Sequence, residues 1–338
     1  MNLKENKYNE FSLCREMLET SNVISNFKAG IVTDFVKVLE PGKNIFLTGE
    51  GSSRILPAKR AIYNLQKKGT DLSVYTDGGA QAMEYNLKRS LVFGASNSGK
   101  TKELIRLFTH LKNQGNINLY GITANKSTPL EELSSKTNVL TCGKENAVAA
   151  TKSVVEQSLF YDALFTDYAG KSLGNLKEVG DAVKTALELT VDRTLIQMIK
   201  NAGTIYFSGR NDGVAEELTL KTNEITHKKS DFLEGTYGVH GIEEVMNKND
   251  VIIIINPFKE EEEKFKECLL DGVGLNIVAI SSRDTIFPTI KIPEAGFFQN
   301  YVELAAGWNI LVETGISMGI NLDKAERARK VGNEFLGL

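Results

Sequence analysis

The stretch Leu91-Val92-Phe93-Gly94-Ala95-Ser96-Asn97-Ser98-Gly99-Lys100-Thr101 carries the strongest fold signal in this chain. Three apolar residues lead into a turn of small and polar residues, and an apolar helical face follows at Leu104, Ile105, Phe108 and Leu111. This pattern predicts a strand, a tight loop and a helix. Small residues let a backbone approach an anion, and N–H groups at a helix N-terminus point towards it. We interpret the stretch as a phosphate-binding loop; an ordinary strand-to-helix turn is the plain alternative.

Two kinds of phosphate-binding loop fit these letters. Residues 94–101 match G-x-x-x-x-G-K-[ST], the P-loop of nucleotide hydrolases. The same letters at 96–101 read Ser-x-Ser-Gly-x-Thr, a pattern with which sugar isomerase domains hold a sugar phosphate through hydroxyl groups. A P-loop enzyme also needs an acidic residue at the end of an apolar strand to hold Mg²⁺. The apolar strands predicted at 117–122 and 251–255 end without one, which favours the second pattern.

Composition and charge exclude several classes of protein. The 338 residues are 41% hydrophobic and 25% charged, as in globular proteins, and the net charge of −3 gives no reason to expect nucleic acid or an anionic membrane as partner. No apolar run approaches the ~18 residues of a membrane span, and the polar N-terminus shows no signal peptide. Three widely spaced cysteines and three scattered histidines argue against a disulfide framework and a metal cluster. We expect a cytoplasmic protein with no metal.

Strands and helices alternate along the chain, which predicts an α/β protein with parallel sheets covered by helices on both faces. The pattern occurs twice, because residues 45–49 are echoed 160 residues later by 205–209, and 90–97 are echoed by 250–256. We therefore predict two tandem copies of one three-layer, Rossmann-like unit. The expected organisation is N-terminal helices at 1–40, a first domain at 41–172, a second domain at 173–320 and a C-terminal tail at 321–338.

A second small-residue turn, Gly51-Ser52-Ser53, follows the strand predicted at 44–48. Ligands of parallel sheets bind beyond the carboxyl ends of the strands, so this turn and the Ser96 turn should lie at the same edge. The second copy has Pro257-Phe258-Lys259-Glu260 at the position of the Ser-rich turn. One phosphate site per chain is therefore expected.

Hydroxyl and backbone N–H groups of the two turns are the proposed phosphate ligands, contributed by Ser52, Ser53, Ser96, Ser98 and Thr101. Asn97 would add a contact to the phosphate or to a sugar hydroxyl. The plain alternative is that these Ser and Thr side chains cap the helices that follow them.

Six short motifs follow one another along the chain: Gly51-Ser52-Ser53, 96–101 (SNSGKT), 145–152 (ENAVAATK), 220–225 (LKTNEI), His240-Gly241 and the tail from Asp323 to Lys330. In this order they resemble the double-SIS (sugar isomerase) domain family. The resemblance is to the isomerase half of glucosamine-6-phosphate synthase and its shorter isomerase, deaminase and deglycase relatives. It covers nearly all of the chain after about residue 40 and implies two tandem SIS domains.

The resemblance also implies the catalytic groups. Glu224 would shuttle a proton between C1 and C2 of the sugar through an enediol, and Lys221 would tune that carboxylate. His240 would open the sugar ring near neutral pH, and Lys330 would form a Schiff base with the ketose. Glu224, His240 and Lys330 each have a plain alternative: the solvent side of an amphipathic helix, a loop histidine and a solvated basic helix end, respectively.

The 145–152 motif implies further substrate contacts, from Val148 and Ala150. Three positions depart from the family pattern. Ala150 stands where the synthase has a ligand-binding Ser, Asn223 replaces a Lys just before Glu224, and Ile242 follows His-Gly where Pro is frequent. All three departures fall near the sugar rather than the phosphate, which points to a substrate other than that of the synthase.

We therefore expect a phosphosugar aldose–ketose isomerase for a hexose or amino-sugar 6-phosphate, with or without coupled deamination or deglycation. No glutaminase domain precedes the repeats, so no glutaminase activity is expected, and the chemistry needs neither metal nor cofactor. The family further implies a homodimer whose active-site histidine comes from the neighbouring subunit. One alternative is a catalytically inactive phosphosugar sensor, and the other is a P-loop nucleotide hydrolase.

Overall fold

The computed structural model describes residues 1–328 and 334–335. In the first half of the chain, short strands alternate with helices. The strands are β1 (Asn44–Gly49), β2 (Ser73–Asp77), β3 (Leu91–Ser96), β4 (Leu119–Thr123) and β5 (Lys136–Val139). The helices are α1 (Asn6–Asn9), α2 (Ser12–Asn26), α3 (Thr33–Val36), α4 (Ser52–Lys68), α5 (Gly79–Ala82), α6 (Lys102–Asn113), α7 (Pro129–Leu133) and α8 (Lys152–Tyr168).

The second half repeats the alternation. Its strands are β6 (Thr204–Gly209), β7 (Lys229–Glu234), β8 (Val251–Ile255), β9 (Asn276–Ser281) and β10 (Thr289–Lys291). Its helices are α9 (Leu176–Glu188), α10 (Arg193–Asn201), α11 (Val214–Thr226), α12 (Glu262–Phe265) and α13 (Gln299–Ser317), with a π-helical segment at Lys266–Val273. No described helix is long and apolar enough to cross a bilayer.

Two five-stranded, wholly parallel sheets result, with strand orders β2-β1-β3-β4-β5 and β10-β9-β8-β6-β7. Read from β7, the second order repeats the first, so the two halves share one topology. The predicted α/β class with two copies of one unit is confirmed.

The chain forms two compact units, each assembled from separated segments. The first sheet unit contains β1–β5 and consists of 26–145, 152–176 and the described residues from 326 onwards. The second sheet unit contains β6–β10 and consists of 1–25, 146–151 and 177–325. Helix α2 and the short 146–151 segment thus belong to the second sheet unit.

The central strands were predictable because their letters are apolar throughout. Strands β3 and β8 are buried along their whole length, as expected for a parallel sheet covered on both faces. Strands β7 and β10 were missed, since they lie at sheet edges and are only partly apolar. Residues 176–201 form two helices, α9 and α10, and Asp192 caps α10 by accepting a 2.6 Å hydrogen bond from Thr194 N.

Candidate active site

The two predicted phosphate turns lie side by side in the first sheet unit. One connects β1 to α4 and the other connects β3 to α6. Strands β1 and β3 are parallel neighbours, with Gly49 paired to Ala95 at their carboxyl ends. Two helix N-termini therefore begin at the same edge of the sheet, where the positive ends of their helix dipoles favour an anion.

Hydroxyl groups of the Ser96 loop make hydrogen bonds within the loop. The Ser96 and Thr101 hydroxyls are 2.8 Å apart, and Gly99 N donates to Ser96 Oγ at 3.0 Å. Lys100 N donates to Ser98 Oγ at 3.1 Å. At the N-caps of α4 and α6, the described structure contains no side-chain capping hydrogen bond. The N-cap residues of these two helices, Gly51 and Thr101, therefore do not cap them through a side chain.

Gly99 is required by both backbone and space. Its φ is +68°, and a Cβ atom there would lie 2.5 Å from Thr128 Oγ1. We expect Gly99→Ala to displace the loop and weaken binding of inorganic phosphate about 10-fold or more, because the displaced N–H and hydroxyl donors of the loop would no longer point at the phosphate.

Gly115→Ala is the matched control for this prediction. Gly115 has a similar φ of +82°, but a Cβ atom added there would meet nothing within 4 Å. The Gly115→Ala variant should therefore lose about 1–2 kcal/mol of stability, because alanine disfavours the left-handed backbone conformation. It should not move the Ser96 loop. Isothermal titration with phosphate measures the difference, and equal affinities for the two variants would contradict the role of the loop.

Asn97 is anchored at both its backbone and its side chain. Its carbonyl oxygen accepts hydrogen bonds from Ala124 N at 3.1 Å and Asn125 Nδ2 at 2.9 Å. Its side-chain amide donates to Glu145 Oε2 at 2.6 Å and to Ser153 Oγ at 2.9 Å. Both amide hydrogens are therefore used, and the side-chain oxygen is left to accept. Asn97 can accept a hydrogen bond from a sugar hydroxyl, whereas its side chain has no donor left for a phosphate oxygen.

The first turns of α8 support both phosphate turns. Ser153 donates to the buried carboxylate of Glu145, which in turn accepts from Asn97. Gln157, also buried, donates from Nε2 to Ser53 Oγ at 3.4 Å. The supporting role of these side chains was not predicted from the motifs. The available signal was the presence of polar residues in a helix that is buried on all sides.

Glu50 brings an acidic group next to the Ser52 turn, where a charged carboxylate would oppose phosphate binding. Its Oε1 atom accepts a 2.7 Å hydrogen bond from Gly79 N. Burial nevertheless raises the pKa of the Glu50 carboxyl above its usual value. The raised pKa reduces the cost of placing a phosphate nearby.

In the second sheet unit, three charged residues form one stripe along α11. Glu217, Lys221 and Glu224 are four and three residues apart, which places them on one helix face. Lys221 Nζ lies 2.7 Å from Glu224 Oε2 and 3.2 Å from Glu217 Oε1. Glu217 and Lys221 are fully buried, whereas 24% of the Glu224 side chain is exposed. The plain alternative placed Glu224 on the solvent side of an amphipathic helix. The structure instead places it beside two buried charged residues.

The charge of this stripe depends on Lys221. Burial by itself would lower the pKa of Lys221, but the carboxylates of Glu224 and Glu217 outweigh it and raise that pKa. Lys221 therefore remains an ammonium group at neutral pH and keeps a positive charge against Glu224 Oε2. Among the residues that the structure describes, no hydrogen bond or ion pair involves the second oxygen of Glu224. Glu217 was not among the predicted site residues, although its spacing of four from Lys221 was a usable signal.

The remaining predicted residues lie in different surroundings. His240 is exposed and accepts a hydrogen bond at Nε2 from Lys264 Nζ at 3.2 Å. In the described part of the chain, no hydrogen bond or ion pair joins it to Glu224 or Lys221. Val148 and Ala150 are half-buried and alternate with buried alanines along the 146–151 segment. Lys330 lies outside the described residues.

Comparison with known proteins agrees with the fold. Residues 39–167 match the SIS domain family. A curated relative, the glutamine–fructose-6-phosphate aminotransferase (isomerizing) of Aeropyrum pernix, is 22% identical over 228 residues, which are 61% of this chain and 37% of the relative. The chain thus spans little more than a third of the length of that relative.

Two solved structures show the same fold over nearly the whole chain. The C-terminal domain of glucosamine-fructose-6-phosphate aminotransferase from Francisella tularensis superposes with a TM-score of 0.77 at 19% identity, covering 95% of this chain and 100% of that one. Tagatose-6-phosphate ketose/aldose isomerase from Escherichia coli gives a TM-score of 0.79 at 15% identity, covering 96% and 99%. At these sequence identities, the structural similarity shows only that this chain has the same fold as the two proteins. The family match assigns residues 39–167 as a SIS domain.

Proposed function

We propose that this chain, with a SIS domain at 39–167 and a second sheet of the same topology, is a phosphosugar aldose–ketose isomerase. Its substrate would be a hexose or amino-sugar 6-phosphate. The two solved relatives include a ketose/aldose isomerase of a 6-phosphosugar, which supports this substrate class. The observation that carries the proposal is the partly exposed carboxylate of Glu224, held by the buried ammonium of Lys221.

The proposed reaction needs one base and no redox step. The hydroxyls and N–H groups of the Ser52 and Ser96 turns hold the phosphate. Glu224 removes the proton from C2 of the open-chain aldose, and an enediol forms as the carbonyl oxygen gains a proton. Return of the proton from Glu224 to C1, together with loss of the proton on the C2 hydroxyl, forms the C2 carbonyl and gives the ketose. Lys221 holds the Glu224 carboxylate in place, so that little conformational entropy is lost on positioning this base for the reaction.

His240 is assigned to ring opening, by proton transfer to the ring oxygen of the sugar. Its imidazole is exposed and makes no hydrogen bond or ion pair with Glu224 within the described chain. This placement is compatible with the proposed homodimer, in which His240 serves the site of a neighbouring copy. Lys330 is assigned, by its position in the tail motif, to Schiff-base formation with the ketose.

A panel of phosphosugars read by mass spectrometry and NMR in deuterated water tests this function. We expect turnover of at least one hexose or amino-sugar 6-phosphate, with deuterium entering at C1 or C2, because an enediol exchanges its proton with the base. The same assay separates simple isomerisation from isomerisation coupled to release of ammonia or of another amine.

Nucleotide binding provides the counter-test. We expect no binding of ATP with Mg²⁺ by isothermal titration, and Lys100→Ala, which changes an exposed residue of the loop, should leave phosphosugar affinity nearly unchanged. Tight ATP binding that Lys100→Ala abolishes would overturn the proposal. Phosphosugar binding without any turnover would instead indicate a sensor.

A further inference from the structure

The start of helix α2 holds two distant segments of the second sheet unit. The carboxylate of Asp323 accepts hydrogen bonds from Ser12 N and Leu13 N, both at 2.8 Å. These are the first two residues of α2, whose N–H groups have no partner within the helix. A carboxylate at this position is favoured by hydrogen bonding and by the helix dipole.

One turn further along α2, a second carboxylate binds the 146–151 segment. Glu16, of which only 4% is exposed, accepts hydrogen bonds from Asn146 N and, at 3.3 Å, from Ala147 N. The next N–H group, that of Val148, donates to the backbone carbonyl of Asp323 at 3.2 Å. Three consecutive N–H groups of the segment are therefore held by two acidic residues.

These bonds connect parts of the chain to which the proposed function assigns substrate contacts. The 146–151 segment carries Val148 and Ala150, the proposed sugar contacts. Asp323 begins the motif that ends seven residues later at Lys330, the proposed Schiff-base lysine. Helix α2 lies outside residues 39–167, the part matched by the family model. Helix α2, which lies outside that matched region, is therefore hydrogen-bonded both to the 146–151 segment and to Asp323, where the tail motif begins.

We propose that Glu16 and Asp323 are positioning residues of the active site, an inference that rests on the proposed function. Glu16 fixes the backbone of the segment that contacts the sugar. Asp323 fixes the start of the tail motif at α2, and its backbone carbonyl joins that start to the 146–151 segment. Hydrogen bonds accepted by a carboxylate are stronger than neutral ones, so the bonds from Glu16 to the segment and from the Asp323 side chain to α2 restrain the backbone tightly.

Two variants and one control test the inference. Glu16→Gln and Asp323→Asn keep the shape of the side chain but replace one acceptor oxygen by a donor, so each loses one of the backbone hydrogen bonds described above. Asp192→Asn is the matched control, because Asp192 caps α10 through Thr194 N and, among the described residues, makes no hydrogen bond to the 146–151 segment or to Asp323. All three variants remove a charged acceptor from backbone N–H groups.

Hydrogen exchange shows whether the links exist in solution. We expect faster exchange at Asn146 and Ala147 in Glu16→Gln, and at Ser12 and Leu13 in Asp323→Asn. Neither pair of amides should change in Asp192→Asn. Unchanged exchange at these amides in their respective variants would overturn the inference.

Kinetics show whether the links serve the reaction. We expect Glu16→Gln to raise KM for the phosphosugar roughly 10-fold, because the segment contacts the bound sugar, and Asp323→Asn to lower kcat roughly 10-fold, because the tail acts after binding. Affinity for inorganic phosphate, which needs only the two turns of the first sheet unit, should stay at the wild-type value in both. Asp192→Asn should keep wild-type KM and kcat.

Failure of the inference differs from failure of the proposed function. Wild-type KM and kcat in both variants, or an equal loss in Asp192→Asn, would overturn the positioning role and leave the isomerase proposal standing. A wild-type protein that turns over no phosphosugar would overturn both.

Discussion

Glu224→Gln is expected to lower kcat by about 10²–10⁴-fold while phosphosugar affinity stays within a few-fold of the wild type. Glutamine has nearly the same shape as glutamate but cannot take up the proton at C2. Lys221 Nζ can still bond to the side-chain oxygen, at the place of the present 2.7 Å contact. The loss should therefore fall on the chemical step and spare binding.

Steady-state kinetics, isothermal titration and deuterium incorporation measure this effect. Ser98→Ala provides the contrast, because loss of a phosphate ligand should raise KM and leave kcat little changed. Full turnover by Glu224→Gln, with deuterium still entering the product, would show that another residue is the base.

Lys221→Met is expected to cost about 3–5 kcal/mol of unfolding free energy, the usual result of breaking a buried ion pair on one side. The change removes the ammonium that faces the fully buried carboxylate of Glu217 and leaves an apolar group in its place. Pairing it with Glu217→Gln should recover most of the loss, since that carboxylate then carries no charge.

Urea unfolding of the single and double variants measures these energies. Lys37→Met is the control, because Lys37 pairs with Asp34 at 2.7 Å on the exposed surface and should contribute at most about 1 kcal/mol. A loss of similar size in Lys221→Met and Lys37→Met would show that the stripe on α11 does not stabilise the fold.

The pH dependence of this stabilisation follows from the raised pKa of Lys221. A lysine whose pKa is higher in the folded than in the unfolded state stabilises the fold fully below the unfolded pKa, about 10.4. Its contribution is then lost as the pH rises through the higher folded pKa. The difference between wild type and Lys221→Met should accordingly hold constant from pH 7 to about pH 10.

Sequence alone determined the architecture, because the signals are local. Apolar runs such as 251–255 predicted the central strands, and small-residue turns at 51–53 and 96–101 predicted where helices begin near a ligand. The repeat of these patterns after 160 residues predicted two units of one topology. Patterns within some twenty residues suffice here, since strand and helix periodicity are properties of neighbouring residues.

Only the tertiary structure decided how the site residues are supported. The letters around Glu224 fit a solvated helix face equally well, and packing of α11 placed Glu217 and Lys221 in the interior beside it. Likewise, Glu16 reaches Ala147 across 131 residues of sequence. A buried carboxylate needs hydrogen-bond donors wherever the fold supplies them, and no periodicity encodes which distant backbone N–H groups these will be.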